Sequence, residues 1–143
     1  MNASIEHCDD VALIAPVLRV LRDAPDQDTF AARLAQALHH GVRFVIAQRG
    51  QNVLGCLGYR IVHDVYWGKT LFIDDLVVRP EARGQGIGAA LVEFARRQAE
   101  ALGCDHIRLC SGLSRADAHR FYATNGFERA SVQFIQPVHK GEN

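Results

Sequence analysis

Two adjacent carboxylates, Asp74 and Asp75, interrupt the apolar run Leu71–Val78. A short way on comes Arg83-Gly84-Gln85-Gly86-Ile87-Gly88, and much later a tyrosine, Tyr122. Each of these can do chemistry. A carboxylate on a strand can serve as a general base, and a phenol can donate a hydrogen bond to developing negative charge. A glycine-rich turn that opens a helix is an anion cradle. The first amides of a helix have no internal partners, and the helix dipole is positive there. Glycines remove the side chains that would hold a phosphate away from those amides, and Arg83 adds a full positive charge at the lip. Each group has a structural alternative: carboxylates that hold backbone or arginine partners, a tight turn with no ligand, a half-buried helix tyrosine.

The elements that must position these groups read as one unit, an apolar strand, a glycine-rich turn and an amphipathic helix. Leu71–Val78 is the strand. Pro80 ends it, because proline cannot donate to a sheet ladder and biases Arg79 away from helix. From Ile87 the apolar residues Ile87, Leu91, Phe94, Ala95 and Leu102 recur at helical spacing. Gly103 stands where a helix C′ glycine belongs. A helix from Ile87 to Leu102 is roughly 24 Å long. Gly84-Gln85-Gly86-Ile87-Gly88-Ala89 also fits the dinucleotide pattern G-x-G-x-x-G/A. The acidic residue which that reading requires at the end of the next strand is missing, since Asp105 precedes the strand. The Gly-Lys-Ser/Thr of a nucleotide-triphosphate loop is absent.

Two motifs carry a family resemblance. Arg83-Gly84-Gln85-Gly86-Ile87-Gly88 matches the [RQ]-x-x-G-x-[GA] signature of the GNAT superfamily of N-acetyltransferases, and Asp75-Leu76-Val77-Val78-Arg79-Pro80 resembles the strand that leads into it. Ala118-His119-Arg120-Phe121-Tyr122-Ala123-Thr124-Asn125-Gly126-Phe127 resembles the family's A-x-x-[FL]-Y-x-x-x-G-F block. The resemblance covers Phe44 to about Phe134.

The resemblance implies an α/β (α+β) fold. Its central sheet is mixed and mostly antiparallel, with six to seven strands, helices on both faces and a parallel, splayed strand pair at the centre. It implies acetyl-CoA as cosubstrate, no metal, and acetyl transfer to a primary amine of a small molecule or protein. The phosphates would lie on Arg83, Gly84, Gln85, Gly86, Ile87 and Gly88, and the pantetheine amides along the strand edge Leu76, Val77 and Val78. An amide near Val77 would hold the oxyanion. An asparagine frequent in the family falls here on Arg115, whose guanidinium would meet a phosphate instead.

The reaction sets further requirements. An alkyl ammonium is only about one part in 2,500 neutral at pH 7, so a base or a water chain ending in one must take its proton. Asp74 and Asp75 are the candidates, and strand alternation sends one to the cleft and the other to the opposite side unless a β-bulge intervenes. His63 and His119 are second choices. Full proton transfer from Tyr122 to the leaving thiolate is uphill by about 2 kcal/mol at ordinary pKa values, so Tyr122 acts mainly as a hydrogen-bond donor. Trp67 or Tyr66 would line the acceptor site, offering an aromatic face to an ammonium.

In chain order, 143 residues suit a single domain, 1–143. Charged residues are 22% and the formal net charge is zero, so no global field favours nucleic acid or an anionic membrane. No apolar run is long enough to span a bilayer, and the expected location is cytoplasmic. Ala3–His7 reads as a first strand. A helix follows, capped by Asp9 or Asp10 and kinked or divided by Pro16, then a second capped by Asp26 or Asp28 and ended by Gly41. His39 and His40 at its end read as solvated cations. Phe44–Gln48 and Val53–Val62 read as a hairpin, His63–Lys69 as a looser turn, and His106–Cys110 as a strand parallel to Leu71–Val78. Asp117 or Ser114 caps the last helix. A strand from about Glu128 to Gln136 forms an edge or pairs with a second copy in a homodimer. Cys8, Cys56, Cys104 and Cys110 form no metal or redox spacing, and three of them read as reduced core thiols. A catalytically silent acyl-CoA-binding module and a dinucleotide-binding domain are the alternative functions.

Overall fold

The computed structural model describes residues 2–139. The chain divides into two compact units, Met1–Leu109 and Cys110–Asn143. The first contains β1 (Ser4–Cys8), α1 (Val11–Leu18), α2 (Gln27–His39), β2 (Arg43–Arg49), β3 (Asn52–Asp64), β4 (Gly68–Val78), α3 (Ile87–Ala101) and β5 (His106–Leu109). Short 3-10 turns follow α1 at Arg19–Leu21 and β4 at Pro80–Ala82. The second unit contains α4 (Ala116–Thr124) and the chain beyond it.

The sheet runs in the order β1-β2-β3-β4-β5, antiparallel except for the β4–β5 pair. A parallel pair needs a crossover, and α3 supplies it. The mixed, mostly antiparallel sheet with a parallel pair is therefore present, but with five strands rather than six or seven, and with the pair at one side rather than the centre. The difference lies at Glu128–Gln136, where no strand forms. Alternating residues provide a strand face, but only a neighbouring edge makes a strand, and that stretch has no partner among the described residues.

The sheet's two faces are covered by different helices. Asp10 caps α1 by accepting a hydrogen bond from the Ala12 amide, and Asp26 caps α2 through the Thr29 amide. Pro16 lies inside α1, which gives way to the 3-10 turn after Leu18. Ile14, Val17 and Leu18 from α1 and Leu34 from α2 pack with Phe44, Ile46, Cys56 and Val77 from the strands. On the other face lies α3, with Ile87, Leu91 and Ala95 buried. Gly55 allows the close approach there: a Cβ on it would lie 3.2 Å from both Ile87 and Leu91. Burying these apolar faces holds the helices to the sheet, because each removes a stripe of side chains from water.

Only Cys56 of the four thiols is fully buried, and Cys110 is exposed, so the expectation of three core thiols is corrected to one. Small apolar neighbours in sequence do not report depth. The α4 cap is corrected too: Arg115 occupies the N-cap without a capping side chain, and Asp117 lies in the first turn, where its charge still complements the dipole.

Candidate active site

The glycine turn has the backbone of an open cradle. Gly84 and Gly86 take φ of +77° and +80°, a left-handed region costly for any residue with a Cβ. Gly86 is the N-cap of α3 and no side chain caps the helix, so its first amides are left for a ligand or water. A Cβ at Gly84 or Gly86 would meet nothing within 4 Å, which leaves open space in front of the turn. The 15-residue helix behind it keeps its dipole aligned on that opening. Arg83 sits at the lip, its Nε donating to the Val78 carbonyl at 3.3 Å. The β2–β3 hairpin adds a second guanidinium that sequence reading missed: Arg49 Nη2 donates to Gln85 Oε1 at 2.9 Å. Only register could have revealed it, since Arg49 and Gln85 are far apart in the chain. Ile87 is buried beneath the turn and anchors it, with Gly88 following in the first helical turn.

Beside the cradle, β4 leaves one edge open. It pairs with β5 only from Thr70↔His106 to Ile73↔Leu109, yet runs on to Val78. Leu76, Val77 and Val78 pair with Leu57, Cys56 and Gly55 of β3, so their other edge carries no strand among the described residues. Such an edge presents backbone donors and acceptors to an extended amide-bearing ligand.

The carboxylates sit at a break in register. Gly58 opposes Asp75 and Tyr59 opposes Ile73, so Asp74 is an extra residue in β4, a β-bulge. Strict alternation would send Asp74 and Asp75 to opposite faces; the bulge puts both on the α1/α2 face. Asp74 accepts both bonds from Arg60 Nε at 3.1 Å, and Arg60 in turn lies over Phe72, two residues back on β4. Asp75 meets Arg22, which follows the first 3-10 turn, at 3.2 Å. Burial pushes the Asp75 carboxyl above the ordinary carboxylate range; Arg22 opposes this and Asp74 adds to it. The expectation that the two carboxylates diverge is therefore corrected. Neither Arg60 nor Arg22 was singled out from sequence, because nothing local marks them.

The β3–β4 turn holds the two aromatic candidates. Tyr66 is 83% exposed. Trp67 is half-buried, edge-on to both Tyr66 and His106. Asp64 fixes the turn by accepting from the Tyr66 and Trp67 amides at 2.7 and 2.8 Å. The Arg108 guanidinium already lies 5.7 Å from the Trp67 ring centroid, so that ring has a cation partner of its own.

In the second unit, Tyr122 lies on α4, edge-on to Phe121 and Phe127. Burial raises its phenol, while Arg115 pulls the other way. His119 Nε2 lies 2.8 Å from the Gly112 carbonyl, a bond that ties α4 to the loop before it. His63 is exposed on β3. No cluster of three metal-ligating side chains occurs among the described residues.

Comparison with known proteins bears on this arrangement. The family model described as Acetyltransferase (GNAT) family matches residues 12–127. The chain is 34% identical to an aminoalkylphosphonate N-acetyltransferase of Salmonella typhimurium, over 96% of this chain and 89% of that protein. It is 31% identical to an uncharacterised N-acetyltransferase of Bacillus subtilis, over 86% and 88%. Among solved structures, an aminoglycoside N-acetyltransferase, AAC(6')-Iy, in complex with CoA superposes with a TM-score of 0.84 at 18% identity, covering 96% of this chain and 95% of the other. At that identity the likeness concerns the fold.

Proposed function

Because the chain belongs to the acetyltransferase (GNAT) family and is an N-acetyltransferase, we propose that it moves the acetyl group of acetyl-CoA directly to the primary amine of a small molecule. The observation that carries this reading is the uncapped N-terminus of α3 behind Gly84 and Gly86, open in front and flanked by Arg49 and Arg83. It suits the diphosphate of a coenzyme A. Leu76, Val77 and Val78 would bond the pantetheine amides through the free edge of β4, and the amide near Val77 would stabilise the oxyanion. Arg115 is assigned a phosphate contact on its place in the motif.

On this reading Asp75 takes the ammonium proton, directly or through water, as a partly buried carboxyl whose pKa already lies closer to neutrality. Asp74 is held by Arg60 and serves to keep the site's charge balanced. Tyr122, assigned on its motif, gives a hydrogen bond to the departing sulfur. Its raised pKa makes outright proton donation harder still, so stabilisation of the thiolate is its part. Trp67 and Tyr66 would border the acceptor. Small-molecule acceptors are favoured by the named relative, which by its name acetylates aminoalkylphosphonates. The chain would work as one domain in the cytoplasm.

We further infer a homodimer. Val132, Phe134, Ile135 and Val138 expose large apolar surfaces on one extended stretch, Phe134 at 91%, and β5 ends the sheet with an unpaired edge among the described residues. A second copy offers both a strand partner and cover.

The test is a panel of amines incubated with acetyl-CoA while free thiol is followed. Acetylation of at least one small amine, with coenzyme A binding measured by calorimetry, is the expected result. Tight coenzyme A binding with no transfer to any amine would favour a silent acyl-CoA-binding module. No binding of coenzyme A would remove the reading altogether.

A further inference from the structure

The face of the sheet that carries Asp74 and Asp75 continues along β4 through Phe72 to Thr70. Two guanidiniums lie against the same Phe72 ring, Arg60 at 4.9 Å and Arg108 at 5.5 Å from its centroid. Both retain open donors. The hydrogen bonds Arg60 makes among the described residues run from Nε to Asp74, which leaves its terminal nitrogens without one. Arg108 comes no closer than 3.7 Å to Asp64, beyond hydrogen-bond reach, so its terminal nitrogens make no hydrogen bond among the described residues. Two guanidiniums with unbonded terminal donors over one aromatic ring offer an anion two charge-assisted forks at once.

We propose that Arg60 and Arg108, held on either edge of Phe72, bind an anionic group on the acceptor, so that the acceptor is a short ω-amino acid, a phosphonate or a carboxylate, rather than a simple amine or a polyamine. This rests on the acetyl-transfer reading above and assigns the other end of its substrate. The spacing selects a length. Phe72 and Asp75 are separated by roughly 7–10 Å of strand. One hydrogen bond of about 2.8 Å at each end leaves room for a spacer of two or three carbons between ammonium and anion. Charge complementarity supports the same occupant: on this face of β4 Asp75 would meet the ammonium, and the guanidiniums over Phe72 would meet the anion. Arginine suits this task because its planar fork matches two acidic oxygens at once, which lysine cannot do.

The experiment compares kcat/KM for 2-aminoethylphosphonate, β-alanine and propylamine in the intact protein. Preference for an anionic amine over propylamine by at least tenfold is expected, and the two anionic arms show whether phosphonate or carboxylate is taken. In Arg108→Met that preference ratio should fall at least tenfold, with Arg108→Lys in between. Ethylphosphonate, which has the anion but no amine, should inhibit the unaltered protein competitively against the amine. Acetylation of propylamine as efficiently as of the anionic amines would overturn the proposal while leaving acetyl transfer intact. So would inhibition by ethylphosphonate against acetyl-CoA only, which would place the anion in the glycine cradle. Absence of transfer to every amine would instead sink the broader reading.

Discussion

Asp75 combines two properties that a proton acceptor for an ammonium needs, partial burial and a position beside an open strand edge. Its stability linkage has a definite sign. The native pKa is raised, so the folded state binds its proton more tightly than the unfolded state does, and stability contributed by that proton is lost as pH rises through the native value. Asp75→Asn should therefore leave the melting temperature at neutral pH unchanged or higher. The same change should lower kcat by about 10²-fold or more and erase the acidic limb of the kcat/KM profile, a limb expected above the ordinary carboxylate range. A fully active Asn variant with the limb intact would transfer the role to water or to another group. Tyr122→Phe should reduce kcat roughly tenfold to a hundredfold, the worth of one hydrogen bond to a charged sulfur, with little change in the amine KM. Direct titration of the phenol absorbance should place Tyr122 above the ordinary tyrosine value, and ionisation below it would contradict the burial that raises it.

At the scale of elements, two glycines do different work. Gly86 needs its left-handed backbone, so Gly86→Val combines about 1–2 kcal/mol of backbone strain with a branched side chain inside the cradle. Calorimetry should show coenzyme A affinity down by at least roughly tenfold; unchanged affinity would dismiss the cradle. Gly58 has no such backbone demand, but a Cβ there would lie 2.6 Å from the Phe44 ring. Gly58→Ala should cost about 1–3 kcal/mol in chemical denaturation, because the ring is locked in the core beneath α1 and α2. A neutral Gly58→Ala would mean that Phe44 has room to move. Both glycines were in plain view in the sequence, yet only Gly86 declared its role there. The G-x-G spacing ahead of an apolar helix is local information. The place of Gly58 opposite a bulge and under an aromatic ring depends on three strands and is not.

For the molecule as a whole, the homodimer proposed above would bury the exposed apolar stretch after α4. Sedimentation of the intact chain should give the mass of two copies at micromolar concentration, and Phe134→Glu should shift it toward one. A single-copy mass for the unaltered chain would leave that stretch as plain surface. Most of the strands, the helices and the crossover by α3 follow from patterns written along the chain: apolar runs for β2 to β4, caps at Asp10 and Asp26, a glycine after each long helix. Residues close in sequence choose their own backbone angles and hydrogen bonds, and so helix ends and the left-handed glycine turn before α3 could be read before any fold was known.

Tertiary structure alone decided the rest. Asp74 and Asp75 share a face because β3 skips one partner between Gly58 and Tyr59, a fact of pairing that neither strand contains by itself. Arg49 reaches the cradle, and Arg60 and Arg108 meet over Phe72, through register across strands far apart in the chain. A single-residue slip in a ladder turns every later side chain to the other face, so the composition of a site built between strands is set by pairing energy over the whole sheet and not by any neighbourhood of residues.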